Sequence, residues 1–478
     1  MSQMSDNKIK LIEFFNKIAP RREYWQKKNK YYYQNQVKFF KYHIPENASI
    51  LEIGCGLGDI LNELKPKRGL GIDISPAMIE LAKKRQTDRQ NLEFKVMDAE
   101  NLLLEEKFDY IIISDTIGYI EDIQKVFQEL KKVTTNYTRI FITYHSFLWL
   151  PLLKLTEILG GKMPQKRLNW LNSQDIANLL YLENYDIIKM GRRFLCPKKL
   201  FFLGNFINRY LANLPLINRL CLYWYTIARL VEPSQGKTNV ASVSVVVPVR
   251  NEKGNIEKAL ERIPLMGNQT EIIFVEGGST DGSWQEIIQA SQLYVNKFSI
   301  KYFKQDGRGK ADAVKKGLSV ASGDILMILD ADLTMPPENL PKFFEALVNG
   351  KGEFINGSRL VYPLGKEAMR TLNMLGNKFF SLMFSWLLGQ RLKDTLCGTK
   401  AILRENYQRL LAVKNSYSTD PFGDFDLIFG AARLNLKIVE IPIRYQARGY
   451  GETNITRFKH GWQLLKILFL SLNKVKFI

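Results

Sequence analysis

The sequence predicts an α/β protein of two doubly wound domains, and three observations carry that prediction. Short apolar runs alternate with helix-length stretches in two separate halves of the chain. In each half the runs stop at glycine turns or carboxylates, where a parallel sheet presents its ligand site. Between the halves, Glu232–Ser242 is polar and holds Pro and Gly. The expected organisation is a domain at 1–232, a linker at 233–241 and a domain at 242–478.

Composition narrows the function classes. The chain has 478 residues, 46% hydrophobic and 24% charged, a globular mixture long enough for more than one core. Four cysteines (Cys55, Cys196, Cys221, Cys397) lack CxxC spacing, which argues against a zinc site or a disulfide framework and fits a reducing compartment. The N-terminal stretch lacks a signal-peptide run, and no stretch approaches 18 uncharged apolar residues. A cytoplasmic protein without transmembrane helices is therefore expected. A net charge of +20 asks for an anionic partner: nucleic acid, an anionic membrane face or diphosphate substrates.

Residues 8–42 interleave basic and aromatic side chains. Such interleaving suits a nucleic-acid surface, but an amphipathic helix pair packing on the next part of the chain is the favoured reading, broken in two at Pro20. Ile50–Ile53 then reads as a buried strand. Gly54, Gly56 and Gly58 form a tight turn into a helix near Asp59, letting backbone approach a ligand closely. Gly69–Ile74 is a second strand whose Asp73 is placed for ribose hydroxyls. Leu92–Val96 leads to Asp98, a fourth strand ends near Asp115, and RIFITYH (Arg139–His145) is the fifth.

With Glu52, the three glycines, Asp73 and the MDAE containing Asp98, the stretch from about 35 to 145 resembles the class I S-adenosylmethionine-dependent methyltransferases. The resemblance implies a Rossmann-like domain, with Glu52, Gly54, Gly56 and Gly58 in the first cofactor motif, Asp73 on the ribose and Asp98 near adenine. A nicotinamide-binding Rossmann domain is the competitor, but its G-x-G-x-x-G spacing is absent. Tyr144, His145 and Ser146 lie where a methyl acceptor sits, so His145 is a candidate general base for O-methylation, with Asp115 of similar standing.

From Ser146 to Val231 apolar stretches alternate with Lys and Arg, and Trp149, Tyr223, Trp224 and Tyr225 sit among leucines. Helices lying in a membrane interface are one reading, an acceptor lid or docking surface the other, and a last strand pair near Tyr185–Met190 is also expected.

In the second half, Ala311, Val314, Leu318 and Ala321 share a helical face, and Ile325–Leu329 is a buried strand ending in Asp330 and Asp332. Two carboxylates there suit Mg²⁺ or Mn²⁺, with a substrate diphosphate completing the shell, provided the strand bends. Arg359 is a candidate phosphate contact. Asp424 or Asp426 is a candidate base, with Asp394 weaker; helix capping is the alternative role.

Val243–Leu260, Glu271–Ile287 and the Asp330–Asp332 run, in this order, resemble family 2 glycosyltransferases of the GT-A fold, over about 241–456. The resemblance implies inverting transfer from a nucleotide-sugar and a donor site of Pro248, Glu252, Glu276, Asp281, Lys310, Asp330 and Asp332. Where the family carries two aspartates, this chain has Glu276 and Gly277. YQARGYGETNI resembles the dolichyl-phosphate mannose synthase branch, which implies that Arg448, Gly449 and Gly451 lie by an acceptor phosphate. Asn454 stands where that branch has lysine, and Arg457 is the candidate replacement. Arg370 and Lys378 are candidates to face the same anion. The tail sets Trp462, Leu465, Leu468 and Leu472 about one helical face ringed by lysines, as a helix lying on a membrane does.

The sequence therefore reads as a bifunctional enzyme, peripheral on the cytoplasmic membrane face. It combines inverting hexose transfer to a polyprenyl-phosphate or glycan acceptor with S-adenosylmethionine-dependent methylation, in the building of a cell-surface glycan. The competing reading makes the first half a non-catalytic S-adenosylmethionine-binding or docking module. Methylation of RNA is the minor reading, since the second half gives RNA no role.

Overall fold

A computed structural model describes residues 4–86, 89–166, 169, 171–231, 240–362, 371–412, 423–446 and 457–477. Contacts divide the chain into two units, Met1–Glu232 with Phe477–Ile478, and Pro233–Lys476. Most of the expected linker lies outside the described residues.

The first unit opens with α1 (Asp6–Lys28) and α2 (Lys30–His43). It continues through β1 (Ser49–Ile53), α3 (Asp59–Leu64), β2 (Arg68–Asp73), α4 (Pro76–Arg85), β3 (Leu92–Val96), β4 (Tyr110–Ser114), α5 (Ile123–Leu130) and β5 (Arg139–His145). Then come α6 (Leu150–Ile158), α7 (Ser173–Leu182), β6 (Tyr185–Arg193), α8 (Leu203–Arg209) and β7 (Tyr223–Leu230). The seven strands lie in the order β3-β2-β1-β4-β5-β7-β6. β1 pairs in parallel with both β2 and β4, so the strand order reverses there and opens a crevice. Alternation sends Leu51, Ile53, Ile111 and Ile113 to one core layer and Ile50, Ile112 and Phe141 to the other.

Two expectations change here. Pro20 does not divide the N-terminal helices: α1 runs through it, held by Phe15 and Ala19 against Met78 of α4, and the break falls at Asn29. Tyr223, Trp224 and Tyr225 do not sit on an interfacial helix. They open β7, antiparallel between β5 and β6, with Tyr223 and Ile227 fully buried. Their aromatic and β-branched side chains suit a strand, which the leucine-rich flanks obscured.

The second unit runs β8 (Ser242–Val249), α9 (Ile256–Arg262), β9 (Gln269–Glu276), α10 (Ser283–Leu293), β10 (Ser299–Lys304), α11 (Lys310–Val320) and β11 (Ile325–Ile328). It continues with α12 (Leu340–Val348), β12 (Phe354–Ser358), α13 (Thr371–Leu388), β13 (Lys400–Leu403), α14 (Arg404–Ala412), α15 (Asp424–Arg433), β14 (Ile438–Pro442) and α16 (Arg457–Ser471). The order is β10-β9-β8-β11-β13-β12-β14, with β13 antiparallel to both neighbours. Strand order reverses between β8 and β11, and the chain bends at once after β11, Leu333 taking a left-handed φ of 54°.

The tail also differs from expectation. Leu464, Ile467 and Leu468 of α16 are buried and Leu465 and Leu472 pack against the core, whereas Trp462 and Phe469 face outward. Among the described residues no helix is long and apolar enough to cross a membrane, and all four cysteines are free.

Candidate active sites

In the first unit a cavity of about 1030 Å³ lies over the carboxyl ends of β1, β2, β4 and β5. The three glycines take left-handed φ values of 72°, 53° and 75°, but they do different work. A Cβ on Gly54 would strike Thr116, and one on Gly58 would strike Phe94 at 2.5 Å, so these two allow packing. A Cβ on Gly56 would meet only Arg22 Nε, at 4.0 Å, so Gly56 faces the open cradle.

Asp73 accepts the Gly56 N–H at 3.0 Å and the Ser75 N–H at 2.9 Å. Burial raises its carboxyl against these bonds. Glu52 is 2% exposed, and burial followed by repulsion from Asp59 pushes its pKa well above the carboxylate range. Its Oε2 is buried without a hydrogen-bond partner. That orphaned oxygen, the open Gly56 cradle and Asp73 are what a nucleoside-bearing cofactor requires, so the residues fit S-adenosylmethionine.

His145 ends β5, and its Nδ1 lies 3.7 Å from Asp115 Oδ1. Asp115, at a φ of 53°, also accepts the Tyr32 hydroxyl at 2.5 Å and the Gln36 amide at 2.8 Å. Tyr32 stacks on the His145 ring, 5.8 Å between centroids. Asp98 lines the cavity but is tied to Lys8 at 2.6 Å, with Glu100 on the same ammonium at 2.7 Å. Arg22 projects from α1 into the cavity; its Nε is buried without a partner, and Nη1 donates to the Met163 thioether, at 3.1 Å. Lys8, Arg22, Tyr32 and Gln36 escaped the motif reading because all lie in α1 and α2, where the basic–aromatic interleaving was the available signal.

In the second unit β8 and β9 deliver Pro248, Glu252 and Glu276 to one edge: Pro248 sits in register with Val275, and Val249 with Glu276. Glu252 is buried and accepts the Asn255 amide at 2.8 Å. Asp281 accepts N–H groups from Lys253 and Ser283, both at 3.0 Å. Burial opposes its charge, yet the Ser283 hydroxyl, donating at 2.6 Å, and these N–H groups hold the carboxyl below its usual range. Glu276 accepts the Ser279 N–H. Beside it Gln305 Oε1 lies 3.2 Å from where Gly277 would carry a Cβ, so an amide stands near the family's second aspartate position.

Lys310, the first residue of α11, reaches Asp330 Oδ1 at 2.6 Å. Burial works against both charges, but each partner stabilises the other, raising the ammonium and lowering the carboxyl. Gly398 backs the pair: a Cβ there would fall 2.1 Å from Asp330 Oδ2 and 2.5 Å from Lys310 Nζ. Asp332 Oδ1 accepts the Thr334 N–H and hydroxyl, at 3.1 and 2.8 Å. Among the described residues no group of three or more His, Cys, Asp or Glu could hold a metal ion. The two hard carboxylates after β11 fit a cation only with substrate oxygens completing its shell, and the ammonium on Asp330 shows that cationic charge is favoured there.

Three candidates are engaged elsewhere. Arg359 is clasped by Asp394, Nε at 2.7 Å and Nη2 at 2.8 Å, so this fork is held by an internal carboxylate while its charge still acts on Asp330. Asp394, fully buried, works against its burial but is held at about 2 by that guanidinium. Asp424 begins α15 and pairs with buried Lys400 at 2.9 Å, near enough to Lys310 to act on its charge. Asp426 is half-buried on the same turn. Arg370, Arg448, Gly449 and Gly451 lie outside the described residues, as does the side chain of Arg457; Lys378 is exposed on α13.

With this geometry in view, comparison with known proteins gives two family matches. Residues 44–181 match the model of a methyltransferase domain, and residues 244–410 that of glycosyl transferase family 2. A dolichol-phosphate mannosyltransferase of Pyrococcus furiosus is 32% identical over 236 residues, covering 47% of this chain and 64% of that protein. A dolichyl-phosphate hexose transferase of Haloferax volcanii is 28% identical over 220 residues, covering 46% of this chain and 89% of that protein. Among solved structures, a SAM-dependent methyltransferase of Thermotoga maritima aligns at 18% identity and TM-score 0.35, over 45% of this chain and 98% of that one. A magnesium protoporphyrin IX methyltransferase of Synechocystis with bound SAH aligns at 19% identity and TM-score 0.34, over 47% and 100%. The chain carries a methyltransferase domain followed by a glycosyltransferase family 2 domain.

Proposed function

We propose that the protein is a bifunctional transferase. Its second unit moves a hexose, with inversion, from a nucleotide-diphosphate sugar to polyprenyl phosphate, and its first unit methylates with S-adenosylmethionine. The observation that carries the transfer reading is the Lys310–Asp330 pair backed by Gly398 at the strand-order reversal. Asp330 and Asp332 would hold Mg²⁺ or Mn²⁺, which neutralises the leaving diphosphate. Glu252, Glu276 and Asp281 orient the nucleotide, with Gln305 facing its base or ribose in place of a second acid. The acceptor oxygen bonds to the anomeric carbon as the sugar–diphosphate bond breaks. A phosphate acceptor is already anionic and needs no base; with a glycan hydroxyl, Asp424 takes the proton after exchanging Lys400 for it.

In the first unit Glu52, Gly54, Gly56 and Asp73 would hold S-adenosylmethionine, whose sulfonium makes its methyl carbon electrophilic. Arg22 would meet the carboxylate of its amino-acid end, a charged partner for its unpaired Nε. His145 Nε2 takes the proton of the acceptor hydroxyl, Asp115 orienting the ring through Nδ1. Outward-facing Trp462 and Phe469 on α16, with Phe379 and Leu382 on α13 and lysines nearby, suit a peripheral place on a membrane where a polyprenyl acceptor resides.

The test is a donor screen with UDP- and GDP-sugars, Mn²⁺ or Mg²⁺ and polyprenyl phosphate, with Asp332→Asn alongside. Transfer lost in the variant supports the reading. Transfer only to a saccharide moves the acceptor to a glycan, and no transfer from any donor sinks it. Tight S-adenosylmethionine binding without methylation of any lipid-linked product would reduce the first unit to a binding module.

A further inference from the structure

The first unit has an outer face that its own packing leaves unexplained. On α6 and its flanks Phe147, Leu148, Leu155, Ile158 and Leu159 are all at least half exposed. Across the same cavity rim the turn before α8 puts Phe201 at 92% and Phe202 at 80% exposure. Leu200 and Phe201 both take left-handed φ values, 38° and 54°, where a non-glycine residue costs about 1–3 kcal/mol. The turn is closed by the Gly204 N–H donating to Lys199 O at 3.1 Å, and a Cβ on Gly204 would strike Lys198 O. Strain is thus held in a turn that pushes two phenyl rings out of the fold, with no internal packing in return.

Charge points to the occupant. Residues 194–222 carry Lys198, Lys199, Arg209 and Arg219 and no Asp or Glu. Apolar tips set in an exclusively basic segment match an anionic bilayer, whose headgroups take the cations while the rings enter the acyl boundary. The cavity reaches this face: Leu152, Leu159 and Lys198 line it, and Leu152 and Leu159 are themselves exposed.

We propose that the first unit docks on anionic membranes through α6 and the Leu200–Phe202 turn, so that its cavity opens toward the bilayer and takes a membrane-borne methyl acceptor. The docking face belongs wholly to the first unit and shares no residue with the α13–α16 surface of the second. The acceptor's identity as a lipid rests on the methylation reading above.

The experiment uses the full chain with Cys196→Ser, which leaves only buried native thiols. Phe201→Cys carries an NBD label, and a separate Trp462→Cys carries the same label as the report on α16. Vesicles of phosphatidylcholine, with or without phosphatidylglycerol, are added, and doxyl-labelled lipid tests for contact. The expected result is a blue shift at position 201 with anionic vesicles only, quenched by the doxyl lipid. Phe201→Ser with Phe202→Ser, both surface changes, should lower vesicle affinity roughly tenfold, about 1.4 kcal/mol. A label at 201 that keeps its aqueous emission while position 462 responds overturns the proposal and leaves the second unit's membrane reading standing. Silence at both positions overturns both, and a response at 201 alone supports this face and removes α16 from the membrane.

Discussion

Both units set acidic residues at the carboxyl edge of a seven-stranded sheet, beside a reversal of strand order, but Glu52 of the first is kept in the opposite way to three aspartates of the second. In the first, Glu52 Oε2 and Arg22 Nε are buried with no partner, around a roomy cavity. In the second, Asp330, Asp394 and Asp424 are each matched to a cation, by Lys310, Arg359 and Lys400. A ligand of the first site completes it, supplying bonds that the protein lacks. A ligand of the second must exchange partners with ion pairs already formed, so its affinity follows charge more than shape.

The sharpest way to break this contrast is at Asp332. Asp332→Asn should lower sugar transfer by about a thousandfold, by loss of charge stabilisation at the diphosphate, while calorimetric binding of S-adenosylhomocysteine stays unchanged. Transfer that survives would remove the metal reading. Next in size is stability. Asp394→Ala leaves Arg359 without its partner and should cost about 3–5 kcal/mol in urea unfolding, whereas Glu52→Gln, replacing an acid whose Oε2 already lacks a partner, should cost less than about 1 kcal/mol. Equal costs would erase the distinction between the units.

The pH dependence carries opposite signs. Asp394 falls from 3.8 to about 2 on folding, so it contributes stability that is present above its unfolded value and lost as pH drops toward 2. Glu52 rises, so the native state keeps a proton that the unfolded chain releases, and stability declines as pH climbs above the ordinary value of 4.5. Unfolding midpoints across pH should lose the alkaline-side decline in Glu52→Gln and flatten on the acid side in Asp394→Asn. Gly398→Ala, which must push the Lys310–Asp330 pair apart, should slow transfer roughly tenfold with donor and acceptor saturating. Smallest is Arg22→Gln: S-adenosylhomocysteine should bind roughly fivefold more weakly, and 5′-methylthioadenosine, lacking the carboxylate, equally well.

Much of this was legible along the chain because sheet ends advertise themselves. The Gly54–Gly58 turn, Asp73 at the end of β2 and the two aspartates after β11 sit within a few residues of an apolar run, so pattern alone located them. What pattern could not supply was pairing at a distance. Arg359 and Asp394 are 35 residues apart and Lys400 and Asp424 are 24 apart, so only the fold reveals that they answer each other. Pro20 misled because a local rule was outweighed by packing of α1 on α4, and YWYTIARL misled because its leucine-rich flanks masked strand propensity.

α1 is fastened at both ends across the cavity. Lys8 grips Asp98 and Glu100 near its start, and at its end Lys28 and Asn29 donate to Gly160 O and Gly161 O, at 2.6 and 3.3 Å. The methyltransferase family match begins only at residue 44, beyond both N-terminal helices. A fragment cut at that boundary would keep every recognisable motif and lose the two helices that line one side of the cavity. The side chains that cover this cavity thus begin in α1, well upstream of the matched segment.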